Sequence, residues 1–182
     1  MVADPPGRDV RAAGSRGGPP WRGGKDDMTW ISGLLGVSAL VASGITAGVL
    51  FAVAVSVLPT LFALPAGTYI RVHRLLGKGY HPVMPIVVNV GMVADFLLVP
   101  VALGRNSGSW LLFVVAGLLL AASQFVSHLG NVPINRQVKR VDPDAVPADW
   151  SDPRPRWQAL HRTRTSLAVG ALVLNAIAVV TL

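Results

Sequence analysis

The sequence predicts an all-α integral membrane protein: a four-helix bundle with a short interfacial helix between its first and second spans. Three observations predict it. The 182 residues are 52% hydrophobic and only 14% charged, with a mean hydropathy of +0.53, whereas a soluble domain carries roughly 25% charged residues. Apolar runs long enough to cross a bilayer recur along the chain, and Asp95 is the one acid inside them. Pro, Gly and basic residues gather between the runs, where loops at a membrane surface are expected.

Residues 1–27 contain four Pro, six Gly, five Lys/Arg and four Asp. They have almost nothing to bury and read as a disordered tail. It has no apolar core, so it is not a secretory signal. Met28 follows directly, and the hypothesis is that translation starts there; the intact mass of the natively expressed protein decides this. Residues 28–182 are read as one four-span membrane domain.

No charge occurs from Met28 to Ile70, a stretch of 43 residues. One helix of that length would extend about 65 Å at ~1.5 Å per residue, against a hydrocarbon core of about 30 Å. The first span is therefore placed at 30–58, with Pro59 and Pro65 marking a bend. Gly44 and Gly48 form a small-xxx-small pattern suited to close helix contact. Tyr69, Arg71, His73, Arg74 and Lys78 alternate with apolar residues, as in an interfacial helix with a basic face. The second span is 82–103, with Pro85 in its first turn, where Pro is tolerated. Gly104–Gly108 is a tight turn. The third span is 109–128, anchored by Trp110. A polar loop over 136–152 leads to Asp152-Pro153, a natural N-cap and first helical residue. The last helix runs 153–182, and its apolar span is 160–182.

Four spans put both termini on one side. Ten Lys/Arg lie on the other side, against Arg105 alone if the chain starts at Met28. The positive-inside rule then places the long loops in the cytoplasm and the termini outside, in a plasma (inner) membrane. The basic residues form no stripe with interleaved aromatics, so the net charge of +7 belongs to topology and lipid contact rather than to nucleic acid. Assembly into a homo-oligomer is left open.

With no Cys and no Glu, the chain has no thiolate nucleophile, no disulfide and no Glu-rich metal site. The polar residues that remain form two stripes. Gln124, His128, Asn131 and Asn135 follow steps of 4, 3 and 4 and share one face if the helix persists, although Pro133 is expected to stop it. Trp157, His161, Arg164 and Thr165 share one face of the last helix. Both stripes reach the same membrane side, so together they outline a pocket. In it His can act as a base, Asn and Arg can hold an oxyanion, and Trp can stack on a planar ligand. The plainer reading is structural: Asn131 and Asn135 cap a helix end, Arg162 and Arg164 mark the cytoplasmic boundary, and Trp157 anchors at the interface. Arg162 and Arg164 point apart, and Arg164 is favoured for the pocket. His73 and His81 read as boundary residues. Asp95 is a proton carrier, a partner for a hydroxyl, or a neutral acid.

Asn131-Val-Pro-Ile-Asn135, a Pro/Asp/Trp loop and Trp157-x-x-x-His161-Arg-x-Arg164 resemble the anthrone oxygenase-like family of small four-span membrane proteins. The first span ending at Pro59 and the basic helix after it are also similar, so the resemblance covers Gly33 to Leu182. It implies a cofactor-independent oxygenase, with no metal and no organic cofactor, converting a planar polyketide-type anthrone to an anthraquinone with O₂. It also implies His161 as base, Asn131, Asn135 and Arg164 as oxyanion partners, and Trp157 as stacking wall. His128 and Gln124 are expected to touch the substrate. Two rival readings stand beside this one. The first is a non-catalytic scaffold or partner subunit whose polar stripes lock two helices together. The second is a small-solute or proton transporter using Asp95.

Overall fold

In a computed structural model of the protein, residues 22–182 are described, with side chains from Thr29. The expectation of a disordered tail lies largely outside them, and helix α1 takes in residues 22–27 of that stretch.

The described residues are all-helical. Helix α1 (Arg22–Ala52) passes through a π turn (Val53–Val57) into α2 (Leu58–Ala63). Helix α3 (Ala66–Tyr80) lies between the first two spans, and α4 (Val83–Gly104) is the second span. Helix α5 (Ser109–Val126) passes through a second π turn (Ser127–Asn131) into α6 (Val132–Arg140), and α7 (Arg154–Val180) completes the bundle. Four of the resulting helices are long and apolar enough to cross a membrane: 29–63, 83–104, 109–140 and 154–180. Helices α1 and α5 each pack on both α4 and α7, giving a four-helix ring. Large apolar residues such as Leu34, Val41, Val93, Leu118 and Val173 face outward, the side that lipid covers.

Small residues let the helices approach closely. Ala39, Ala94, Ala102 and Ala178 are fully or almost fully buried around Leu98 and Phe113. The close contact of the first span is not made by the expected pair. A Cβ on Gly48 would meet nothing within 4 Å, and one on Gly44 would only brush Leu172. On Gly91 it would stand 3.1 Å from Ala42 Cβ and 3.2 Å from Leu120 Cδ1. The close α1–α4 contact is therefore made by Gly91 of α4 against Ala42.

Both prolines expected to end spans lie inside them instead. The first span continues past Pro59 to Ala63 and ends at Leu64-Pro65, and the third continues past Pro133 to Arg140. A proline ring clashes with the carbonyl four residues back and offers no N–H. Each π turn sits just before the proline. Leu58 N–H reaches back five residues to Val53 O, and Val132 N–H to Ser127 O. The wider turn accommodates the ring, so the helix bends without stopping.

Helix α3, α6 and the 141–153 loop form a cap over this end of the bundle, packed around Leu61, Tyr69, Ile70, Ile134 and Val138. The basic residues of α3 serve the cap. Arg74 donates to Lys139 O at 2.8 Å and Val141 O at 2.7 Å, and Arg71 pairs with Asp144. Arg154 donates to Leu61 O at 2.9 Å and Leu64 O at 2.8 Å, where the first span ends. Asp152 holds Arg154 in place and caps α7 through Arg154 N–H at 2.9 Å, within a residue of the expected cap. Burial raises the Asp152 carboxyl, but the bonds and charge of Arg154 outweigh it and keep it below the usual carboxylate range.

Asp95 and Asn175 are fully buried and face each other across the ring, without a hydrogen bond of normal geometry.

Candidate active site

Beneath the cap, a cavity of about 340 Å³ opens between the first span, α3, the start of α4, the end of α5 and α7. Its wall is mostly apolar, from residues such as Val53, Leu76, Met84 and Val88, with a few convergent polar groups. That composition suits a small hydrophobic ligand oriented by specific contacts.

Of the residues singled out from the sequence, Gln124, His128, Asn135, Trp157 and Arg164 line this cavity, and Asn131 and His161 do not. The second π turn is the reason: its extra residue breaks the 4-3-4 register of the polar stripe. Asn131 is buried against α7, donating to Trp157 O at 3.1 Å while its own Oδ1 has no partner among the described residues. Asn131 thus joins two helices. His128 stands exposed, its Nδ1 donating to Gln124 O at 2.9 Å. Gln124 reaches Asn89 Oδ1 at 3.4 Å.

His161 is fully buried behind the wall. Its Nε2 lies 2.9 Å from Leu50 O, and Arg164 Nη2 and Nε lie 2.8 and 3.1 Å from its Nδ1. A carbonyl can only accept and a guanidinium can only donate, so Nε2 carries the hydrogen and Nδ1 the lone pair. Both ring nitrogens are engaged, and His161 acts on the cavity through Arg164. The Trp157 indole stacks on the imidazole with centroids 5.0 Å apart and planes 7° from parallel, so one indole face is already covered. The Arg164 guanidinium lies 5.4 Å from the indole centre and donates to Ser127 Oγ at 3.1 Å. Arg162 is exposed.

The chain is matched by the sequence profile of anthrone oxygenases over residues 28–174. It belongs to the anthrone oxygenase family. No curated protein and no solved structure matches it. For this family member the matched range takes in the cavity wall and the residues behind it, from Gln124 to Arg164.

A buried histidine of the wall is not among the site residues expected from the sequence. His73 of α3 lines the cavity and is buried, with Nε2 3.0 Å from Asn135 Oδ1. Burial holds its imidazole below the ordinary histidine pKa, and the charge of Lys139 adds to this, against an opposing pull from the Asn135 bond. A signal existed in the sequence: Tyr69, His73, Leu76 and Tyr80 repeat the same 4-3-4 steps. The basic residues between them make the other face of α3 the more conspicuous one in the sequence. Burial pushes the Tyr69 hydroxyl up to about 12, with Asp152 adding to the rise and Arg154 opposing it, so it remains protonated at neutral pH. Among the described residues no three His or Asp are grouped to hold a metal.

Proposed function

We propose that this protein is a membrane-embedded, cofactor-independent oxygenase that oxidises a planar, acidic polyketide-type aromatic with O₂. One observation carries the reading: Arg164 brings a permanent positive charge to an apolar cavity whose wall, among the described residues, holds no carboxylate. Among the described residues the ion pairs are Arg71–Asp144 and Arg154–Asp152, and neither involves Arg164. A charge at membrane depth is costly unless paired. His161 and Ser127 solvate the guanidinium without neutralising it, and among the described residues its remaining N–H groups meet no acceptor, which leaves them for an anion. An anthrone supplies one, because loss of a ring-methylene proton leaves an electron-rich enolate that reacts with O₂ directly. An oriented cation in a low-dielectric cavity stabilises such a charge as it develops.

Family membership supports the same chemistry, and a bilayer concentrates both the apolar ligand and O₂. The reading places the capped end of the bundle in the cytoplasm, following the positive-inside rule. The test is O₂ uptake by the purified protein in detergent with a simple anthrone. Uptake above the spontaneous rate, with quinone formed and the excess lost in Arg164→Gln, is expected. A rate no faster than the spontaneous one ends the reading and favours a scaffold.

A further inference from the structure

Sequence resemblance nominates His161 as the base, yet both of its ring nitrogens are engaged. Three other histidines remain. His81 and His128 are exposed at the cavity mouth. His73 is buried in the wall, and its partners settle its tautomer. The Trp157 Nε1–H can only donate, and it lies 2.8 Å from the Asn135 side-chain atom that also faces His73. That atom is therefore the amide oxygen. Since an amide oxygen only accepts, His73 must donate from Nε2 and carry its lone pair on Nδ1. Among the described residues Nδ1 has no hydrogen-bond partner. The indole of Trp157 and the amide of Asn135 thus act as positioning residues.

We propose that His73 Nδ1 is the proton acceptor of this site, and that the substrates are carbon acids whose acidic C–H is delivered beside α3 while their oxygen faces Arg164. The inference rests on the oxygenase reading. The surroundings favour a neutral ring. Lys139 of α6 is the charged group that acts on it, Arg154 of α7 lies over neighbouring Tyr69 at 5.0 Å, Arg164 occupies the same cavity, and among the described residues no carboxylate is bonded to the imidazole.

The steps balance. The C–H bond breaks, its electron pair stays on the ligand as an enolate facing Arg164, and the proton forms an imidazolium on His73. O₂ adds to the enolate carbon, forming a C–O bond and a peroxide anion. The imidazolium returns its proton to the peroxide. The hydroperoxide then loses water: the second C–H and the O–O bond break, and a carbonyl forms. The methylene is oxidised by four electrons, and O₂ ends as one ligand oxygen and one water.

Proton abstraction is measured separately from oxidation by following exchange of the anthrone methylene into D₂O without O₂, by proton NMR. The comparison is wild type against His73→Gln, whose amide can still donate to Asn135. Loss of a general base costs about 10²–10⁴-fold, and a loss of that order is expected while a phenolic anthraquinone still binds. A His73→Gln variant that exchanges at the wild-type rate overturns the assignment, as does a wild type that never accelerates exchange. In ¹⁵N-histidine spectra of the wild type, His73 should appear as the Nε2–H tautomer; the opposite tautomer also overturns it. Exchange without O₂ uptake would instead end the oxygenase reading and leave His73 as the base.

Discussion

The imidazole of His161 holds the guanidinium of Arg164: Nδ1 accepts from Nη2 at 2.8 Å while Nε2 is tied to Leu50 O at 2.9 Å. The histidine therefore works as a bracket between the first span and the cationic wall of the cavity. His161→Ala should leave the guanidinium and the Leu50 carbonyl without this partner. Such losses cost about 1–3 kcal/mol, so the melting temperature in detergent should fall. Arg164→Gln should act differently. It removes the charge, and binding of an ionised phenolic anthraquinone should weaken at least about tenfold, or ~1.4 kcal/mol. The methyl ether of the same quinone should bind almost as before. Equal loss for ether and phenolate, read by absorbance titration, would refute the charge argument.

Asn135 offers a pH test. Its bond raises the His73 pKa, while burial and Lys139 depress it further than that bond restores. The folded pKa is thus below the unfolded value of about 6.5. The folded state binds fewer protons, so this contribution to stability is intact above about 6.5 and is lost as pH falls through that value toward the folded pKa. Asn135→Ala removes the bond that raises the pKa and should move the His73 titration to still lower pH. An upward movement of its ring-proton NMR titration would contradict the geometry. In thermal melts, the loss between about pH 7 and 5 should be smaller for His73→Gln than for wild type, because only the latter carries this group.

The bundle is legible in the sequence because membrane spans announce themselves by length and apolarity. The ends of 30–58 and 109–128 were misplaced for one shared reason. Pro59 and Pro133 are ordinary stop signals, and nothing local distinguishes a proline that ends a helix from one preceded by a π turn. That turn also decides the site. Asn135 and Gln124 still line the cavity, as the 4-3-4 spacing suggests, but Asn131 is rotated against α7. Arg164 could be preferred over Arg162 from helix phase alone. The engagement of both His161 nitrogens depends on Leu50, 111 residues away in sequence, and periodicity holds no such information. His73 was hidden by its neighbours: Arg71, Arg74 and Lys78 make α3 look like a lipid-surface helix, whereas Arg71 and Arg74 clamp the cap loop and the opposite face closes the cavity.

The second π turn can be probed without touching a polar group. Gly130 lies within it, and a Cβ there would stand 2.8 Å from Leu160 Cδ1 and 3.0 Å from Cδ2. Both are the far end of a side chain that is only partly buried, so Gly130→Ala should fold but push Leu160 or the turn aside. Overpacking of this kind costs about 1–3 kcal/mol. The turn carries Ser127, which accepts from Arg164, so phenolate binding should weaken together with stability. Leu160→Ala vacates the contested space. In the double variant Gly130→Ala/Leu160→Ala the glycine substitution should cost less than it does alone, with a coupling of about 0.5–3 kcal/mol. Strict additivity in thermal melts would mean that α7 does not press on the turn, and that the path of the third span past Pro133 is held by the backbone alone.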